Sequence, residues 1–250
     1  KGFEYFAGGV LASAGHLSDF VKDIVVVTGL GKEDDNNKYI KNILKDNINL
    51  DPIYLEDRPT VRKKRVVDHS YFKKMFETYY MDDSPLSIEE EDVILAKVDK
   101  YIKDVDLVIV NDFGHGLMSE KIIRLVSKKS KFLSVNTQTN SGNRGFNYIN
   151  KYKNADYVVI DEPEFRLAAQ DKHTKLDLLA TKKIPELINT NKFIITMGKN
   201  GCMAFNNNKF LSSMPALTNK VVDTVGAGDA FFSISSAFAA ISSDLEDLCL

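Results

Sequence analysis

Near the end of the chain stands Val222-Asp223-Thr224-Val225-Gly226-Ala227-Gly228-Asp229-Ala230-Phe231-Phe232. Two glycines flank an alanine where an apolar helical pattern begins, and an acid follows at once. Glycines let a backbone approach an anion with no Cβ in the way. The first N–H groups of a helix have no internal partner, and with the macrodipole they stabilise negative charge. Asp229, in that first turn, would stand beside the anion. A carboxylate there can take the proton of an attacking hydroxyl while the N–H groups hold a transferring phosphoryl group. Read as the short string Gly-Ala-Gly-Asp alone, the same residues are a helix start with a favourable acid.

Over its full length the string resembles the signature of the ribokinase-like (PfkB) carbohydrate kinases, Asp-Thr-x-Gly-Ala-Gly-Asp. The resemblance implies ATP-dependent phosphotransfer to a hydroxyl of a small sugar or sugar phosphate. Asp229 would be the base, and Gly226, Ala227 and Gly228 the anion hole. Asp223 and Thr224 would brace the loop at the nucleotide. Thr196-Met197-Gly198-Lys199-Asn200-Gly201 is similar to the family's Thr-x-Gly-x-x-Gly segment, which places Thr196, Gly198 and Gly201 at ATP; by itself it is a hairpin turn. Asp161-Glu162-Pro163-Glu164 resembles an Asn-x-x-Glu that handles Mg²⁺ and phosphate through waters, with Asp161 in place of Asn. Carboxylates three residues apart suit a hydrated Mg²⁺, and Asp161 equally suits an N-cap.

Gly8-Gly9 resembles the double glycine that contacts the sugar, although Ala12 stands where the family has Asn. Pro59-Thr60-Val61-Arg62-Lys63-Lys64-Arg65 is similar to the lid of the heptose-7-phosphate kinase branch, the kinase half of bifunctional kinase/nucleotidyltransferases. Lys63 and Arg65 fall on its basic positions. Two residues apart on a strand they share a face and could hold a substrate phosphate, or they could guard a charged edge strand. The resemblance also implies a homodimer through the lid and fusion to a nucleotidyltransferase domain. Asn111-Asp112-Phe113-Gly114-His115-Gly116 stands where that branch has Ser-Asp-Tyr-x-x-Gly, which gives Asp112 to the substrate. Asn136-Thr137-Gln138 replaces the usual Asp-Pro-x and leads into a polar run, 139–147, that includes Arg144. The family's first strand, with its substrate-binding acid, would precede Lys1, and its adenine-capping helices would follow Leu250.

These residues need a frame. Asp23–Thr28, Asp106–Asn111, Phe132–Asn136, Asp156–Ile160 and Phe193–Met197 are continuous apolar, β-branched runs. They predict parallel strands covered on both faces and adjacent in one sheet. Helices are predicted over Gly9–Phe20, Asn37–Asp46, Glu89–Lys103, Ser119–Lys129, Glu162–Ala169, Leu176–Leu187 and Ala227–Ile241, with Ser87 and Glu90 as an N-capping pair. Alternation of this kind means α/β; with the resemblance it means a ribokinase-like three-layer α/β/α sandwich with a mainly parallel sheet. Pro52–His69 is turn-rich and extended, a small β lid off the main sheet. With no linker or repeat, residues 1–250 read as one domain.

At 250 residues and 44% hydrophobic, the chain can bury a full core. A net charge of −2 offers no basic field for a nucleic-acid backbone, so Lys128–Lys131 reads as a solvated face. Cys202 and Cys249 make no disulfide framework, and the four histidines lack metal-ligand spacing. No apolar run reaches the ~18 residues of a membrane helix. Leu11-Ala12-Ser13-Ala14 has the look of a cleavage site, but no basic region precedes it. The expectation is a cytoplasmic enzyme using ATP and Mg²⁺. A nucleoside kinase of the same family and a kinase-like module without turnover are the alternatives; a NAD oxidoreductase would need a Gly-x-Gly-x-x-Gly that does not occur.

Overall fold

A computed structural model describes residues 3–34, 36–68, 73–143, 145–217, 226–241, 244–245 and 247–249. Along the chain run α1 (Val10–Leu17), β1 (Ile24–Val26), β2 (Gly29–Gly31), α2 (Asn36–Ile43), β3 (Ile48–Leu50), β4 (Ile53–Leu55), β5 (Arg62–Asp68), β6 (Lys73–Tyr80) and α3 (Ile88–Tyr101). There follow β7 (Val108–Asp112), α4 (Glu120–Lys129), β8 (Leu133–Thr137), β9 (Tyr157–Asp161), α5 (Glu162–Ala169), α6 (Leu176–Leu187), β10 (Lys192–Thr196), β11 (Cys202–Asn206), β12 (Lys209–Met214) and α7 (Ala227–Ala240).

The main sheet has the order β12-β11-β10-β9-β8-β7. Its β7, β8, β9 and β10 are parallel, and β11 and β12 continue it antiparallel. Alternation along each strand sends side chains to two different cores. Val110, Val135, Val158, Ile160, Phe193 and Ile195 pack under α4, α5 and α6. Tyr157, Val159, Ile194 and Ala204 pack under α7, through Phe232 and Ala239. Helix α1 lies along α7. The result is helix, sheet, helix, as the composition of the strands requires.

Local signals set the helix starts. Ser87 and Glu90 close a reciprocal capping box on α3, and Ser119 caps α4. Asp161 and Glu164 close a second box on α5, with Pro163 in the first turn. Midway along α7, Ser235 Oγ accepts a 2.9 Å hydrogen bond from the buried Tyr157 hydroxyl of β9. At its far end Lys192 Nζ donates to the Ala239 carbonyl at 3.1 Å.

Two expectations need correction. The run Asp23–Thr28 yields only the three-residue β1, which pairs with β3 away from the main sheet. A stretch of valine and isoleucine reports that a strand is covered, not which strand lies beside it. The lid is also displaced from 52–69. Ile53–Leu55 forms β4 and pairs in parallel with β2, while the lid is the antiparallel hairpin β5–β6, in register from Arg62↔Tyr80 to Asp68↔Lys73. Strand β6 escapes a sequence reading because its Met, Phe, Glu, Thr and Tyr residues show no clean alternation. His69, at the old boundary, lies outside the described residues.

Candidate active site

Period-two alternation selects what the sheet presents at the C-terminal ends of its parallel strands. Ile109 faces α7, so Asn111 does too; Leu133 and Val135 face the opposite core, so Asn136 faces α7. The same parity carries Gln138, Asp161 and Thr196 to that face. This polar row lies beside the N-terminus of α7. Asn111 and Asn136 are cross-strand partners. Neither amide atom of Asn111 has a partner among the described residues, and Asn136 Oδ1 has none, although Asn136 Nδ2 donates to Val159 O at 2.8 Å.

Gly226 is the N-cap of α7 at φ +80°. A Cβ at Gly226 or Gly228 would meet no atom within 4 Å. Packing therefore does not demand glycine at Gly228, and the helix end is open above it. Ala227 opens the helix and Asp229 stands in its first turn. Gln138 Nε2 donates to Asp229 Oδ1 at 2.7 Å. Burial pushes the Asp229 carboxyl above the usual carboxylate range, opposed by that hydrogen bond and by the nearby charges of Lys63 and His16. Asp223 and Thr224, expected to brace this loop, lie outside the described residues.

Glu164 lies within electrostatic reach of Asp229. Its Oε1 accepts from Thr139 N at 2.8 Å and its Oε2 from Asp161 N at 3.1 Å. Burial pushes its pKa up to about 7, with Asp161 and Asp229 adding to the rise and the two N–H donors opposing it. A carboxyl whose folded pKa exceeds its unfolded value of 4.5 binds more protons folded than unfolded between those limits. Stability should therefore fall as pH rises from about 4.5 to about 7, by ~3 kcal/mol from this group. Denaturant unfolding at pH 5 and pH 8 should show this loss in the wild type and a smaller one in Glu164→Gln; equal losses would contradict it.

The substrate-facing residue expected at Asp112 is turned the other way. Asp112 is 2% exposed. Its carboxylate accepts from the Tyr152 hydroxyl at 2.6 Å, Asn147 Nδ2 at 3.2 Å and Gly114 N at 3.0 Å, and pairs with Lys151 at 2.5 Å. Strand parity explains it: neighbours on β7 face opposite layers, so Asn111 takes the cleft side. That alternation was available in the sequence.

Around this centre, Gly9 caps α1 at φ +54°, and a Cβ there would come within 3.1 Å of the Phe113 ring. Gly8 carries no such constraint. Thr196 ends β10, and Gly198–Asn200 forms a single helical turn closed by Gly201. Gly201 has φ +85°, and a Cβ would fall 1.9 Å from the Met214 carbonyl oxygen. On the lid, Arg65 Nε donates to Glu77 Oε2 at 3.1 Å. Lys63 lies over the Tyr79 ring at 4.9 Å, and its charge reaches both Asp229 and His115. His115 stacks on Phe113, and burial holds its pKa below the usual histidine range. Among the described residues no three acidic, histidine or cysteine side chains could jointly hold a metal ion.

No helix of the described residues is long and apolar enough to cross a membrane. The bifunctional protein HldE of Campylobacter jejuni (strain RM1221) is 25% identical over 229 residues, 91% of this chain and 47% of that protein. HldE of Nitrobacter hamburgensis is 23% identical over 227 residues, 88% of this chain and 45% of that protein. The chain thus spans about half the length of the curated relatives it matches. Phosphofructokinase-2 from Escherichia coli, solved with fructose-6-phosphate, superposes with a TM-score of 0.75 at 14% identity, over 97% of this chain and 78% of that one. Arabidopsis thaliana ribokinase, solved with ribose and ATP, gives 0.65 at 13% identity over 96% and 76%. These superpositions establish the ribokinase-like fold. Residues 1–250 match the pattern of the pfkB family carbohydrate kinases throughout, and the chain belongs to that family.

Proposed function

We propose that this chain transfers the γ-phosphoryl group of ATP to a hydroxyl of a sugar phosphate, with Asp229 as general base. One observation carries the reading: an acid whose Oδ2 has no partner among the described residues stands in the first turn of a helix that begins at open glycines. The unpaired N–H groups of that end suit the charge of a phosphoryl group in flight. As the acceptor oxygen bonds to phosphorus, its proton passes to Asp229 Oδ2 and the bond to the ADP leaving oxygen breaks. The turn Gly198–Gly201 suits the nucleotide side. The Asn111 amide and Asn136 Oδ1, without partners among the described residues, suit sugar hydroxyls, and Lys63, with Arg65 behind it, offers charge to the substrate phosphate.

Mg²⁺ fits this donor set in one way only. Asp161 and Asp229 both raise the proton affinity of Glu164, which a cation beside Asp161 and Glu164 would relieve. Both Glu164 oxygens already accept backbone N–H groups. Asp161 and Glu164 would therefore hold the ion through its waters, and bound there it would neutralise phosphate charge. The exposed apolar lid residues Val67, Met75, Phe76 and Tyr80 suit a homodimer through the lid. The HldE relatives are named bifunctional, in keeping with a fused nucleotidyltransferase domain.

An ADP-release assay over a panel of sugars, sugar phosphates and nucleosides tests the reading. Turnover should be highest with a sugar phosphate. Lys63→Ala/Arg65→Ala should raise KM for phosphorylated acceptors only, whereas Asn111→Ala should raise KM for every accepted sugar. Preference for a nucleoside would favour the nucleoside-kinase alternative; no turnover on any acceptor would leave a binding module.

A further inference from the structure

Resting on the proposed base role, we propose that Gln138 is a positioning residue, holding the Asp229 carboxylate by Oδ1 so that Oδ2 is presented to the acceptor hydroxyl. A carboxylate only accepts hydrogen bonds, so at 2.7 Å the Gln138 amide must present its Nε2 donor. The backbone of Gln138 is held from several directions. Its N–H donates to Asp112 O at 2.8 Å. Its carbonyl accepts from Asn143 Nδ2 at 2.8 Å and from Asn147 Nδ2 at 3.2 Å. The next residue, Thr139, donates its N–H to Glu164. Asn140 and Asn143 Nδ2 both donate to Phe113 O, at 2.8 and 3.1 Å. An exposed loop would not need so many side-chain amides; a loop that must deliver one donor to one carboxylate oxygen does.

The contact has two consequences. It fixes the rotation of the carboxylate, which a first-turn side chain otherwise chooses freely. It also favours the ionised form against the burial that disfavours it. The other ionisable groups near this carboxylate are Lys63 from the lid, His16 from α1 and Glu164 from α5. Gln138 is the side chain seen to hold it by direct contact among the described residues.

The test compares wild type, Gln138→Leu and Gln138→Lys. In Gln138→Leu, kcat should fall about tenfold, the loss of roughly one hydrogen bond to a charged group. KM for ATP should hold, and the acid limb of the kcat/KM profile should move to higher pH. Gln138→Lys restores a donor and should return the limb to wild-type pH or below. In parallel, ¹³C NMR titration, assigned with Asp229→Asn, should show the Asp229 carboxyl titrating higher in Gln138→Leu. An unmoved acid limb and an unmoved carboxyl titration would overturn the proposal. Should wild type phosphorylate no sugar, the kinase reading falls, and the NMR titration by itself still decides for or against Gln138.

Discussion

Asp229→Asn should lower kcat by ~10²–10⁴-fold and leave ATP affinity unchanged. A sugar hydroxyl is a poor nucleophile, and its proton must leave as the phosphoryl group arrives. Asp229 combines a carboxylate, a place at the helix N-terminus and an oxygen, Oδ2, with no hydrogen-bond partner among the described residues. Asparagine keeps the shape, and its carbonyl oxygen can still accept from Gln138, so the loop 138–147 is undisturbed. What disappears is basicity. Isothermal titration with an ATP analogue and single-turnover kinetics separate the two effects. Weakened ATP binding with unchanged single-turnover chemistry would assign Asp229 to the nucleotide or its metal, and unchanged kcat would remove the base from the mechanism.

Asp112→Ala should unfold the protein about 5–15 °C earlier and leave sugar KM unchanged in the folded fraction. The substitution strands the Tyr152 hydroxyl, which is fully buried, and removes the counter-charge of the Lys151 ammonium, which still donates to Asn147 Oδ1. Breaking a buried charge network on one side costs ~3–5 kcal/mol. Lys151 is partly exposed, which reduces this to ~2–4 kcal/mol. For a chain of this length each kcal/mol shifts Tm by ~2–4 °C. Calorimetry reads the stability, and steady-state kinetics at 15 °C reads KM. A raised sugar KM with wild-type Tm would return Asp112 to the substrate.

The pair Asn111-Asp112 shows where sequence reading succeeds and where it stops. The segment lies at the end of a strand, as expected, because apolar runs followed by polar loop residues mark strand ends directly. Which of two adjacent polar residues faces α7 depends on which core each strand face meets, a fact belonging to the assembled sheet. Gln138 is a similar case. Its position in Asn136-Thr137-Gln138 was noted as unusual, but its partner lies 91 residues away, and no local pattern carries that distance. The expected helices lie within three residues of the observed ends, since caps such as Ser87/Glu90 and Asp161/Glu164 act within one turn. The lid boundaries and the isolation of β1 did not, because strand pairing is non-local.

Helix α7 behaves as a ruler whose zero is set at both marks. The Tyr157–Ser235 hydrogen bond fixes its rotation against the sheet, and Asp229 lies six residues earlier on the same rigid rod. Each residue of a helix turns the chain by ~100° and advances it by ~1.5 Å. One residue inserted or deleted between Asp229 and Ser235 would swing the carboxylate a quarter-turn or more from Gln138, with every side chain still chemically intact. An insertion of seven would restore the angle to within ~20° but carry the acid ~10 Å past the cleft. This interval is therefore a segment in which natural variation in sequence can be wide and variation in length should be nil.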